Sequence, residues 1–198
     1  MGWTCTYKQP GGSLTQFFME HGVLRWSGES PNQYRVLDSA VVKFVHYAAI
    51  ERIEKATSNR VVFAMVILTK SFKADRYGHN FCWKDMDESM GPCEDNCPER
   101  ILNLLTETDS EYAREWRQRC RAKAEARKAM PKLVAGLKLV FADPVRFTTG
   151  PVGELVVRSI KGQRILCSRP DDEYGRYRLT RSWLHNRVFN HSVQFQTA

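Results

Sequence analysis

The sequence predicts an α+β fold: an N-terminal antiparallel sheet with helices, then a long basic helix, then a small SH3-like β-barrel. Three observations carry this. Two β-type apolar runs lie close together in the first half, at 41–50 (VVKFVHYAAI) and 61–69 (VVFAMVILT). Residues 111–130 hold no Gly or Pro and repeat apolar side chains at helical spacing. Beyond Pro131, short β-type runs alternate with Gly and Pro: LKLVFA, VRFTT, ELVVRSI, QRILC, YRLT and RVFN. Five or six short strands in about 60 residues are the pattern of a small barrel. The expected organisation is an α+β domain over 1–108, a connecting helix over 109–131 and a barrel-like domain over 132–198.

Taken in order, Ser13 is placed to cap a short amphipathic helix over 14–21, which Gly22 ends. Residues 28–33 (GESPNQ) read as a loop. The run 61–69 is almost unbroken in its apolar character, as a central strand buried on both faces would be. Thr57, Ser58, Asn59 and Arg60 are turn residues, so the two runs are expected to pair as a hairpin. Residues 70–82 read as irregular chain or an edge strand. Pro98 suits the first turn of a helix reaching Leu105. Asp109 or Ser110 caps the long helix, along which Tyr112, Trp116, Cys120 and Ala124 form a stripe.

The chemistry is concentrated in residues 77–105, YGHNFCWKDMDESMGPCEDNCPERILNLL. Lys84, Asp85, Asp87 and Glu88 stand together there, with His79, Cys82, Cys93 and Cys97 around them. If the chain is extended, Asp85 and Asp87 share a face and could hold Mg²⁺ for phosphodiester hydrolysis, with Lys84 steadying the developing charge. A structural turn, in which these carboxylates accept backbone N–H bonds, is the competing expectation. His79, Cys82, Cys93 and Cys97 have roughly the count and spacing of a structural zinc site, although the second pair is three residues apart rather than two. No Gly-rich phosphate loop or nucleophile elbow is present.

The segments MGWTCTYK, VFAMVILTK, KDMDESMGP, CPERILNLLTETDSEYAREWRQRCR and VFADPVRFT resemble a family of uncharacterised proteins carried by bacteriophages, plasmids and bacterial genomes. The resemblance runs to about residue 150 and is fainter beyond it. It implies no cofactor and no catalytic assignment. It does imply a role in phage or mobile-element biology, with interference with host defence among the expected functions.

Charge points to a partner. Residues 1–109 carry 12 Lys+Arg against 14 Asp+Glu, whereas 110–198 carry 18 against 8, so the net +8 belongs to the C-terminal part. Nucleic acid, a nucleoprotein complex or an acidic host protein would suit that surface. The expected contacts are Arg114, Arg117, Arg121 and Lys128 on the long helix, and Arg176, Arg178 and Arg181 in RYRLTRSW. In that segment Tyr177 and Leu179 alternate inward, Arg176 and Arg178 outward, and Arg181 lies past the strand end. The start shows no basic stretch leading into an apolar core, and no run is long enough to cross a membrane, so a cytoplasmic location in a bacterial host and reduced thiols are expected. The reading is of a non-enzymatic accessory protein without a cofactor, with a metal-dependent nuclease and a protein-binding inhibitor as alternatives.

Overall fold

The computed structural model describes residues 3–6, 32–71, 78, 80–91, 93–172, 174 and 177–196. The helix expected over 14–21 lies outside these residues, as do His79 and Arg176. The chain divides into two compact units, Met1–Arg121 and Ala122–Ala198, so the division falls inside the long helix rather than on either side of it.

The first unit is built on five antiparallel strands in the order β1 (Thr4–Thr6), β5 (Phe81–Asp87), β4 (Arg60–Ser71), β3 (Val45–Glu54), β2 (Asn32–Val42). The apolar run at 61–69 forms most of β4, the central strand, and is buried on both faces as its composition predicts. β3 and β4 pair as the expected hairpin, from Val45 opposite Leu68 to Ile53 opposite Arg60. Its turn is closed by Ser58, which donates its N–H to the Glu54 carbonyl at 2.7 Å with a φ of 59°.

The run expected as one strand over 41–50 is cut in two. Lys43 takes a φ of 60°, Val42 ends β2 and Val45 begins β3. The Thr69 N–H and Oγ1 both donate to the Phe44 carbonyl, at 3.0 and 2.9 Å, which fastens this turn to β4. β2 itself does not stand out from the sequence: Asp38 and Ser39 interrupt its apolar alternation, and the register shifts between Val36 and Asp38.

Each face of this sheet has its own core. On one, Tyr47, Ala49, Ala64 and Val66 meet two helices, α1 (Glu99–Leu102) and α2 (Glu111–Ala129), through Ile101, Leu102, Trp116 and Cys120. On the other, Ala48, Ile50, Met65 and Ile67 pack together. α1 is shorter than the helix expected from Pro98 to Leu105. Ser110 begins α2, its Oγ accepting the Ala113 N–H at 3.4 Å. The stripe that α2 buries is Ala113, Trp116, Arg117 and Cys120, while Tyr112 is exposed. Trp116 is wholly buried and its Nε1 donates to the Glu94 carbonyl at 3.0 Å. The Tyr47 hydroxyl donates to the same carbonyl at 3.2 Å.

The cysteines correct one expectation. Cys5 and Cys82 form a disulfide across directly opposed positions of β1 and β5, so the thiols are not all reduced. Strand register brings these two residues together across 77 positions of sequence, which spacing alone could not reveal.

The second unit has five antiparallel strands in the order β10 (Val193–Gln196), β6 (Lys138–Phe147), β7 (Gly150–Lys161), β8 (Arg164–Ser168), β9 (Tyr177–Thr180). The sheet is open, which corrects the expected closed SH3-like barrel. The edge strands β9 and β10 both pack against a helix, α3 (Arg181–Phe189), rather than forming a ladder with each other. The segment RVFN, expected as a strand, lies in and just after α3 because Thr180 caps that helix, its Oγ1 accepting the Trp183 N–H at 3.2 Å. The two runs LKLVFA and VRFTT join into the single bent strand β6, whose register against β7 shifts between Val140 and Val145. Leu139, Leu155, Val157, Ile165, Tyr177, Leu179 and Leu184 form the core. Among the described residues no helix is long and apolar enough to cross a membrane.

Trp116→Ala would remove the largest fully buried side chain of the first unit and leave the Glu94 carbonyl short of a donor. The expected cost is about 3–5 kcal/mol, read by chemical denaturation followed through β-sheet circular dichroism.

Candidate functional site

β4 outruns its neighbour. β5 pairs with it only at residues 65–71, which leaves the outward backbone groups of Val62 and Ala64 without a strand. Two side chains fill that gap. The Val62 N–H donates to Thr106 Oγ1 at 3.1 Å, and the Ala64 N–H donates to Glu88 Oε1 at 3.1 Å. The Thr106 and Glu88 N–H groups return bonds to the Val62 and Ala64 carbonyls, each at 3.0 Å. Glu88 is almost fully buried, and Arg117 of α2 meets it with both ends of its fork, Nε to Oε2 at 2.7 Å and Nη2 to Oε1 at 2.5 Å. Arg117 Nη1 donates to the Thr106 carbonyl at 2.5 Å. The pair thus ties the edge of β4, the end of β5 and the flank of α2 into one network.

This network reassigns two expected functional residues. Glu88 has its carboxylate committed to Arg117 and a backbone N–H, so it is not a metal ligand or general base beside Asp85 and Asp87. Arg117 faces inward and is not a surface contact for phosphate. The rest of the acidic cluster divides as well. Asp85 and Asp87 do share a face of β5, opposite Ile67 and Met65, but Lys84 lies on the other face. Asp87 ends the strand as a turn residue, Oδ1 accepting from the Ser89 N–H at 2.6 Å and the Ser89 hydroxyl at 2.5 Å. A lysine and three carboxylates adjacent in sequence therefore point in three directions.

Of the expected zinc set, Cys82, Cys93 and Cys97 are among the described residues. Cys82 is bonded to Cys5, and among the described residues no group of three His, Cys, Asp or Glu side chains is placed to hold a metal. Cys93 is half-buried, and burial together with the nearby Asp87 and Glu88 carboxylates pushes its thiol up to about 11, away from thiolate chemistry. Burial also pushes up the Cys97 thiol.

Beside the ion pair lies a cavity of about 350 Å³, lined in part by Tyr34, Arg52, Phe63, Asp87, Ser89 and Thr108. Arg52 Nε is buried there without a hydrogen-bond partner, while its Nη2 reaches Glu54 at 3.4 Å. Two arginines, Arg52 and Arg117, and three carboxylates, Asp87, Glu88 and Glu107, line it, so the cavity has no positive field with which to draw in a polyanion.

A field of one sign is found in the second unit. That unit carries 14 Lys+Arg against 6 Asp+Glu, which is the whole net charge of +8, and the first unit is neutral. Val157, Ile165, Cys167, Tyr177 and Leu179 turn one face of β7, β8 and β9 into the core. The other face presents Lys161 opposite Arg164, and Arg178 opposite Leu166, one diagonal step from Arg164. Arg158 lies on this face too, its Nε donating to Ser168 Oγ at 2.7 Å and its Nη2 to the Asp172 carbonyl at 3.0 Å. Glu154, the one acid in these three strands, pairs with Lys138 at 2.5 Å.

Of the expected contacts, Arg178 is exposed on this face, and Tyr177 and Leu179 are core as the alternation predicts. Arg181 lies past the strand end, in the first turn of α3, with Nε on the Gly162 carbonyl at 3.0 Å. Arg114, Arg121 and Lys128 recur every seven residues along α2 and are exposed, Lys128 pairing with Glu125 at 2.9 Å. Lys161 and Arg164 join this face without a signal in the sequence. They flank the turn residue Gly162, and only hairpin register sets them on the face of Arg178.

Residues 107–182 match a family described as Domain of unknown function (DUF6927). The matched stretch takes in α2, β6, β7, β8 and β9, and so includes the cationic face but not the KDMDESMGP segment. No curated protein and no solved structure matches the chain.

Glu88→Ala and Arg117→Ala are each expected to cost about 3–5 kcal/mol, because either one strands a buried charge. The double variant is expected to cost clearly less than the sum, and a double-mutant cycle in urea measures the difference.

Proposed function

We propose that the chain is a non-enzymatic accessory protein that binds nucleic acid, free or within a nucleoprotein complex, through the second unit. The observation that carries this reading is the row of Lys161, Arg164 and Arg178 on the outward face of β7, β8 and β9, with Arg158 alongside. Three strands supply these cations, so their spacing is set by the sheet and is not left to flexible chain. A rigid comb of this kind suits phosphate contacts, and each such contact releases counterions on binding. Within the second unit, the exposed Lys128 of α2 and the first-turn Arg181 extend the proposed contacts; Arg114 and Arg121, exposed on the part of α2 that belongs to the first unit, stay among them from the sequence. Arg176 keeps its place among them from the sequence.

The segregation of charge supports the same reading. With the first unit neutral and the second at net +8, the attraction belongs to the unit that carries the cationic sheet face. The commitment of Glu88 to Arg117 and the placing of Lys84 on the face away from Asp85 and Asp87 count against the nuclease alternative. A mobile-element origin and interference with host defence are proposals that rest on the family resemblance, and the cytoplasm of a bacterial host is the compartment that goes with them.

Arg164→Glu combined with Arg178→Glu is expected to weaken binding to labelled DNA or RNA. It should also lower the slope of log K against log salt by roughly one unit per lost phosphate contact. Unchanged affinity and slope would overturn the assignment. Capture of a host protein that survives nuclease treatment, with no nucleic-acid binding, would move the same face to an acidic protein partner.

A further inference from the structure

Building on the nucleic-acid reading, we infer that the partner is single-stranded and that Tyr174 stacks on one of its bases. The cationic face alone does not distinguish single strands from duplex, since both offer phosphates. Stacking does distinguish them, because an exposed aromatic ring can receive a base only where the base is not already paired. The aromatics that the sequence placed among the cations are spent elsewhere. Tyr177 is in the core, its ring 4.9 Å from that of Phe147, and Trp183 packs edge-on against Phe141 at 5.9 Å with Arg187 over its face. Tyr174 is different: it is 77% exposed, the most exposed of the large apolar side chains among the described residues.

Its position is not arbitrary. Tyr174 lies in the loop that joins β8 to β9, three residues before β9 begins. Its N–H donates to Asp172 Oδ1 at 2.9 Å, and the carbonyl of the same Asp172 accepts from Arg158 Nη2 at 3.0 Å. Arg158 in turn grips Ser168, the last residue of β8, whose hydroxyl donates to the Arg169 carbonyl at 2.8 Å. Arg158 of the cationic face thus holds the base of the loop that carries the ring. That grip is a reason for Arg158 to be half-buried while Arg164 and Arg178 are exposed.

The charges of the loop agree with a base, and not a phosphate, at the ring. Asp171 and Asp172 stand just before Tyr174 and would repel a phosphate there. The sheet cations toward the loop are Arg158, bonded to Asp172, and Arg178 on β9, while Arg164 and Lys161 lie farther off, at the β7–β8 hairpin. A strand laid across this face would keep its phosphates over β8 and β9 and turn a base toward the loop. One stacked ring and a few phosphate contacts describe a binder with little sequence preference.

The test uses the full chain with a labelled homopolymeric thymidine strand, the matching uridine strand and a duplex of equal length. Four proteins are compared: wild type, Tyr174→Ala, Tyr174→Phe, and the doubly charge-reversed Arg164→Glu/Arg178→Glu. Tyr174→Ala is expected to lower the ratio of single-strand to duplex affinity by roughly tenfold, the worth of one stacked base. Tyr174→Phe should restore that ratio, since the ring and not the hydroxyl makes the contact. If Tyr174→Ala leaves the ratio unchanged while charge reversal still weakens binding, the stacking inference is overturned and the nucleic-acid reading stands. If charge reversal changes nothing either, both are overturned.

Discussion

The buried pair of Glu88 and Arg117 is the interaction on which the first unit depends. β4 is the central strand, and its last exposed backbone groups lie where β5 has already ended. In an ordinary sheet another strand would satisfy them. Here Glu88 and Thr106 do so, and Arg117 neutralises the first and binds the carbonyl of the second. Taking a carboxylate and a guanidinium out of water is costly, and the arrangement is tolerable because nearly every polar atom of both has a partner. The result is specific: α2 can settle on the sheet only where its arginine meets that glutamate.

This constraint also explains why the most reactive-looking segment of the chain is a structural one. Asp87 closes a turn, Glu88 seals a strand edge, Cys82 staples β5 to β1, and Cys93 and Cys97 are held among apolar and acidic neighbours. Polar residues crowd together there because a long strand is losing its partner and a chain reversal follows. Each vacated backbone group has to be answered by a side chain.

The second unit follows a different logic. Its sheet is narrow and bent, its core is filled by Leu, Val, Ile and Tyr, and a helix rather than a ladder joins its edges. Its charge is carried on the face that the core does not need. Placing the cations on strands rather than on loops fixes their spacing, and Arg158 also bonds the carbonyl of Asp172 beyond β8.

Much of this was legible in the residues themselves. Apolar content marked β4 as central, turn residues marked the β3–β4 hairpin, Asp109 and Ser110 marked the start of α2, and alternation assigned Tyr177 and Leu179 to the core and Arg178 to solvent. These are local properties, set by side-chain period, propensity and capping. What stayed hidden depended on distant partners. The turn at Lys43 exists because Thr69 holds Phe44, Cys5 finds Cys82 through strand register, and Arg164 joins Arg178 across β8 and β9. Arg117 looked like one more cation on a basic helix until a glutamate 29 positions away was brought against it. A sequence states which side chains are available. Only the folded chain decides which backbone groups lack a partner, and so which of those side chains are consumed by the fold and which are left for binding.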